Sequence, residues 1–198
     1  MCLPTSVRNH GNYVCGLGDV VRWLGEKAEE LGVDVLPGIA GDKIYFNEDG
    51  SVGGVVVNEF GVAKDGSQKD NYSPGVIVKG KQTILSEGCR GSLSQKLINH
   101  FKLDGNVVNK QQYGIGIKEI WEVKDNPHFK PGLVKHTVNW PLGSNNYGGT
   151  FMYHVKPNQI HVGLVVGLDY ADPYLNPYEE FQKFKTHKSV KKYFENAE

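Results

Sequence analysis

An excess of either charge is missing from this chain. Lys and Arg number 22, against 22 for Asp and Glu. That balance offers no basic surface of the kind that draws nucleic acid, and no acidic tail. Cysteine is scarce. Cys2, Cys15 and Cys89 are far apart and odd in number, so neither a disulfide framework nor a metal-ligand spacing is visible. They are read as free thiols in a reducing compartment. Three cysteines also fall short of the roughly four thiolates that hold an iron–sulfur cluster. No apolar run approaches the roughly 20 residues needed to cross a bilayer, and the first residues carry no charged-then-apolar leader. No G-x-G-x-x-G or G-x-S-x-G motif occurs; "GLGDVV" from Gly16 and "GIGIKE" from Gly114 lack the spacing of a phosphate loop.

What is present describes a folded, strand-rich protein. Glycine (25 residues) and tyrosine (10 residues) are plentiful, which suits many turns and sheets. Leu17, Val20, Val21, Leu24, Ala28 and Leu31 recur at helical spacing, with Gly32 placed to close the helix. A short strand is expected over "VDVLPG", then a hairpin over residues 39–58 turning at Asp49 and Gly50, and a second small hairpin at Asp65 and Gly66. Two strand pieces are expected on either side of Gly80, the second being "TIL" before Gly88. A helix follows over "SLSQKLINHF". The rest reads as an antiparallel sheet: "QQYGIGIKEIWEV", "HTVNWPL", and a pair "TFMYHV" and "IHVGLVVGL" joined by "KPNQ". In the last of these Ile160, Val162, Leu164, Val166 and Leu168 alternate onto one face. The final residues read as helical and basic.

Several residues could carry chemistry. In "TILSEGCRGSL", an apolar strand runs into a turn bracketed by Gly88 and Gly91, with Ser92 as a possible helix cap. Such a helix start presents N–H groups to an anionic or polar ligand, although an ordinary strand-to-helix turn reads the same way. In "NNYGGTFMYH", Gly148 and Gly149 leave backbone N–H groups open to a flat ligand; a bulge would also use paired glycines. Such donors suit a carbonyl oxygen that gains charge on reduction. His154 and His161 are expected to be neighbours across the hairpin. Lys118 and Glu119 sit in an apolar strand, so one charge should be partly buried and paired. Lys183, Lys185, Lys188, Lys191 and Lys192 read as a solvated helix face.

In order along the chain, "NHGNYV", "EKAEELGVDVLPG", "EGCRGSL", "YGIGIKEIWEV", "HTVNWPL", "YGGTFMYH" and "GLVVGLDYADPYLNPYEEFQKFKTHKSV" resemble the electron transfer flavoprotein–ubiquinone oxidoreductases. The resemblance begins at Asn9 and covers nearly the whole chain. It implies an α+β chain: an incomplete α/β FAD-binding fold with an inserted antiparallel-sheet quinone-binding domain. The divisions would be residues 1–108 (partial FAD-binding domain), 109–175 (ubiquinone-binding domain) and 176–198 (C-terminal helical segment). Gly148 and Gly149 would lie beside ubiquinone, and Gly88 and Gly91 beside FAD. The glycine-rich FAD loop would precede Met1, and the cysteines of an iron–sulfur (4Fe-4S) cluster would follow Glu198. The partners would be ubiquinone, electron transfer flavoprotein and, through parts outside this chain, a membrane surface. The setting would be the matrix side of the mitochondrial inner membrane. Alone, the chain would be inactive. It departs from the family at Gly16, where an arginine is usual.

Two other readings share part of this pattern. A geranylgeranyl-reductase-like or hydroxylase-like FAD enzyme would keep the fold and act on another substrate. A non-catalytic β-rich binding module would fold cooperatively without a cofactor.

Overall fold

The structure, a computed structural model, describes residues 11–198. Cys2 and the start of "NHGNYV" lie outside that range. Internal contacts divide the chain into two units: Gly32–Lys110, and Gln111–Glu198 together with the N-terminal stretch through Leu31. Helix α1 (Leu17–Glu30) forms where the helical period was read, with Asp19 in its first turn and Lys27 in its last. Gly16 stands at its N-cap and offers no side-chain hydrogen bond. Gly32 follows with φ +84°, the left-handed turn that ends helices. No residue of α1 is buried, and Leu17, Val21 and Leu24 stay exposed.

Within Gly32–Lys110, strands β1 (Gly41–Phe46) and β2 (Val52–Val57) make the expected hairpin. Strands β3 (Phe60–Val62) and β4 (Gln68–Ser73) make the second. The same tripeptide, Asp-Gly-Ser, builds both turns. The carboxylate of Asp49 accepts from the Ser51 N–H at 2.9 Å, and that of Asp65 accepts from the Ser67 N–H at 3.0 Å. Gly50 and Gly66 supply the positive φ. Strand β5 (Val76–Lys79) adds to β2, giving the order β1-β2-β5. Helix α2 (Ser92–Phe101) packs against β1 through Leu93. Two expected strands do not form. "VDVLPG" has no strand, and neither does "TIL" at 83–85, where Ile84 is 87% exposed. A strand exists only by pairing, and no described segment pairs with either piece.

The other unit is built on four antiparallel strands. These are β6 (Gly114–Glu122), β7 (Val134–His136), β8 (Gly148–Val155) and β9 (Gln159–Gly167), in the order β6-β9-β8-β7. Ile160, Val162, Leu164 and Val166 line one face with Met152, all fully buried; Leu168, expected with them, lies beyond the strand and is exposed. Helices α3 (Pro177–Thr186) and α4 (Lys188–Lys191) and a tight turn at 192–194 cover that face with Phe181, Phe184, Val190 and Tyr193. Each such side chain contributes about 1.5–3 kcal/mol by leaving water. Asn176 caps α3 by accepting from the Tyr178 N–H at 3.0 Å, and Pro177 fits the first helical turn. The chain's last residue is tied back: Glu122 and Glu198 exchange two backbone hydrogen bonds, at 2.8 and 3.0 Å. The expected strand "HTVNWPL" stops at His136, because Asn139 takes a positive φ of 63° and the chain turns away.

Candidate functional site

The edge of β8 concentrates the unusual backbone. Gly148 and Gly149 both have φ +153°, a region that L residues seldom adopt. In this mirror-image conformation a Cβ would point within the sheet rather than out of it. At Gly148 it would meet the Val165 carbonyl oxygen at 2.2 Å; at Gly149, the Thr137 carbonyl oxygen at 2.1 Å. The two glycines therefore let three backbone segments close up. Their N–H groups differ. Tyr147 accepts from the Gly167 N–H at 2.8 Å, which turns Gly149, two residues on, toward β9 in the ladder. Gly148 faces the other way and accepts from the Asn139 N–H at 2.9 Å.

A cavity of about 450 Å³ is lined among others by Val134, His136, Thr137, Trp140, Thr150 and Phe184; it shares Thr137 with the backbone that Gly149 approaches, though neither glycine lines it. The Thr137 hydroxyl ties its wall together, lying 2.7 Å from that of Thr150 and accepting from the Thr150 N–H at 2.9 Å. His187 also lines it, with Nδ1 accepting from the Ser189 N–H at 3.3 Å. The walls are largely apolar, with a few polar groups converging, as in a small-molecule site. The opposite face of β7 opens on a second cavity, of about 330 Å³, lined by Tyr13, Cys15, His136 and Tyr153. His136 borders both. Neither His136 nor His187 stands out in the sequence, since the turn at residues 137–142 that shapes the larger cavity has no local signature there.

His154 and His161 are not neighbours. The register pairs Tyr153 with His161 and His154 with Ile160, so the two imidazoles lie on opposite faces of the sheet. His154 is fully buried and stacks on Phe129, with ring centroids 5.1 Å apart. Its Nδ1 accepts from the Lys130 N–H at 3.0 Å. Burial, with Lys135 nearby, pushes its pKa down to about 4. His161 is lowered too, by burial and then by Lys118, while Asp19 acts in the other direction.

Glu119 is the partly buried charge of its strand. It receives Lys185 Nζ at 2.7 and 2.8 Å and the Trp121 indole N–H at 2.7 Å. Lys185 is thus no part of a solvated face; its side chain is 12% exposed and lies over the Phe181 ring.

Gly88 turns with φ +82° into open space, and Gly91 is the N-cap of α2. Ser92 is the first residue of α2 rather than its cap. The helix end is already occupied by an anion of the chain itself. The Glu87 carboxylate accepts from the N–H groups of Leu93 and Ser94 at 3.2 and 2.7 Å, and from the Ser94 hydroxyl at 2.7 Å. The Ser94 hydroxyl and then the backbone bonds hold its pKa below the usual carboxylate value. A phosphate does not fit that helix end as it stands. An acid just upstream of a helix start was the available signal for Glu87. Cys15 and Cys89 are exposed thiols. Among the described residues no cluster of His, Cys, Asp and Glu could hold a metal ion, and no helix is long and apolar enough to cross a membrane.

Comparison with known proteins covers almost all of this chain. Residues 113–198 match the family described as ETF-QO, ubiquinone-binding. The mitochondrial electron transfer flavoprotein–ubiquinone oxidoreductase of Oryza sativa subsp. japonica is 51% identical over 96% of this chain and 33% of its own length. The corresponding protein of Pseudomonas aeruginosa is 44% identical over 98% of this chain and 35% of its own. The human mitochondrial one is 47% identical over 93% and 30%. This chain therefore spans about a third of the length of these relatives. Among solved structures, a flavin-dependent brominase shares the fold over 91% of this chain and 41% of its own, with a TM-score of 0.57 and 18% identity.

Proposed function

We propose a function from one premise: this chain belongs to the electron transfer flavoprotein–ubiquinone oxidoreductase family. It supplies the quinone-binding part, and a portion of the FAD-binding part, of an enzyme that passes electrons from reduced electron transfer flavoprotein to ubiquinone. The observation that carries this reading is the ubiquinone-binding match over residues 113–198, which contains Gly148, Gly149 and the lining of the larger cavity. Gly148 offers its backbone N–H to a quinone oxygen. Gly149 contributes the close backbone approach that keeps the edge open to a flat ring. The ring enters the adjoining cavity against Trp140 and Phe184.

FAD carries the electrons when bound. Gly88 and Gly91 would border it through their backbone, while the first N–H groups of α2 serve Glu87. An iron–sulfur cluster, the membrane surface and the matrix side of the mitochondrial inner membrane belong to the proposal for the whole enzyme. The rice and human relatives are named as mitochondrial, and the Pseudomonas relative is bacterial.

A photoreactive ubiquinone analogue tests the site. In the whole protein it labels the peptide from residue 134 to 150, and excess ubiquinone prevents the labelling. Labelling confined to other peptides overturns the assignment.

A further inference from the structure

A quinone ring is recognised at its carbonyl oxygens, which accept hydrogen bonds and donate none. Donors on the wall of the larger cavity therefore decide how such a ring is held. Thr137, Thr150 and Ser189 bring hydroxyls to that wall. The Thr137 hydroxyl donates to the Trp140 carbonyl oxygen, which can only accept. Its single hydrogen is thereby spent. In the Thr137–Thr150 pair, 2.7 Å apart, the shared hydrogen is then that of Thr150. Neither threonine has a hydrogen left for a ligand.

His187 differs. Its Nδ1 accepts from the Ser189 N–H at 3.3 Å. A backbone N–H can only donate, so in the neutral ring Nδ1 is bare and the hydrogen sits on Nε2. The Ser189 hydroxyl, 2.8 Å from Nδ1, then donates to it as well, and its hydrogen too is spent. The backbone of His187 is fixed at the junction of α3 and α4. Its N–H donates to the Phe184 carbonyl oxygen at 3.2 Å, and its own carbonyl accepts from Val190 and Lys191, both at 2.8 Å. The Trp140 ring meets the imidazole edge to face at 5.1 Å and the Phe184 ring at 5.7 Å.

Resting on the function proposed above, we propose that His187 is a specificity-determining residue of the quinone site. Its Nε2–H donates to one carbonyl oxygen, while Trp140 and Phe184 hold the face of the ring. Nδ1 is turned toward α4, which leaves the Nε2 edge for the cavity that His187 lines. A donor fixed before the ligand arrives spends no binding energy on being ordered. Lys135 and His136 are committed elsewhere. Lys135 Nζ lies over the Tyr193 ring, 4.6 Å from its centroid, and the His136 ring lies with Tyr153 on the other face of the sheet.

Two substitutions separate this role from the helix cap that His187 also provides. His187→Asn puts an oxygen near the place of Nδ1 and keeps the cap, with no donor at the place of Nε2. His187→Gln puts an amide N–H near the place of Nε2 and loses the cap. In the whole protein, displacement of the photoreactive analogue from the peptide 134–150 gives affinities for two ligands. These are ubiquinone and the dimethyl ether of its quinol, whose oxygens are weaker acceptors. His187→Asn is expected to lower the preference for ubiquinone over the ether roughly tenfold, the worth of one hydrogen bond. His187→Gln keeps most of that preference, although it melts at the lower temperature of the two. Any result in which Asn does not fall below Gln in preference overturns the donor role. So does nitrogen NMR showing Nδ1–H in the neutral wild-type ring, and either result leaves the cavity standing as the quinone site. Absence of labelling at 134–150 in the wild type overturns the functional reading, and the donor role with it.

Discussion

Single residues show where this fold tolerates no change. His154 is neutral and fully buried, with a pKa of about 4 in the folded state. Unfolded, it returns to about 6.5. The unfolded chain therefore binds the extra proton first as pH falls. The stability that His154 permits is complete above about pH 6.5, drains away between there and pH 4, and changes no further below. The full loss is roughly 3 kcal/mol, from a shift of about 2.5 pH units. Denaturant titrations at several pH values should show this slope, and His154→Asn should flatten it even if that variant is weaker at neutral pH. The glycines make a second case. Gly132 has φ +84° with open space where a Cβ would go, whereas Gly149 faces the Thr137 carbonyl oxygen. Gly132→Ala should cost about 1–3 kcal/mol, from its backbone angle alone. Gly149→Ala adds a backbone clash and should cost distinctly more. Equal midpoints in urea for the two variants would contradict the clash.

Elements hold together through contacts that local pattern reveals only in part. The attachment of α3 to the sheet uses one charge pair, Lys185 with Glu119, set among Trp121 and Phe181. Removing one partner strands the other. Glu119→Gln should cost roughly 3 kcal/mol, and Glu119→Leu with Lys185→Met together should recover most of it. Thermal unfolding of the single and double variants measures this, and strictly additive losses would refute it. The pattern around this pair shows what the sequence made legible. Alternation in "IHVGLVVG" marked the buried face of β9, and the Asp-Gly turns fixed both small hairpins, since these signals are local. Pairing is not local. "TIL" before Gly88 has the composition of a buried strand and no described neighbour to pair with. The expectation for His154 and His161 failed by a single residue of register, which the 156–158 turn decides and alternation alone does not. Lys185 was read as solvated because a helix period shows spacing and not what lies opposite. For Gly148 and Gly149, the pair of glycines was visible in the sequence; the two clashing carbonyls came only with the structure.

Across the whole molecule, burial is unevenly shared. Among the described residues, the fully or nearly buried apolar side chains belong to the unit built on the four-stranded sheet, apart from Leu93. In Gly32–Lys110 the faces of β5 are open: Val76, Ile77 and Val78 are each about half exposed. Apolar surface left in water contributes nothing to stability, so the two units should open at different free energies. Hydrogen exchange on the intact chain should therefore sort its strands. Amides in β8 and β9 that bond across the ladder should exchange slowest, and those of β1, β2 and β5 should exchange orders of magnitude faster despite being equally well hydrogen-bonded. The contrast matters, because both sheets satisfy their inner backbone groups and differ mainly in the side chains packed over them. Equal protection in the two sheets would mean that backbone pairing, and not the packing of Phe181, Phe184 and Tyr193 on the sheet, sets the stability of this protein.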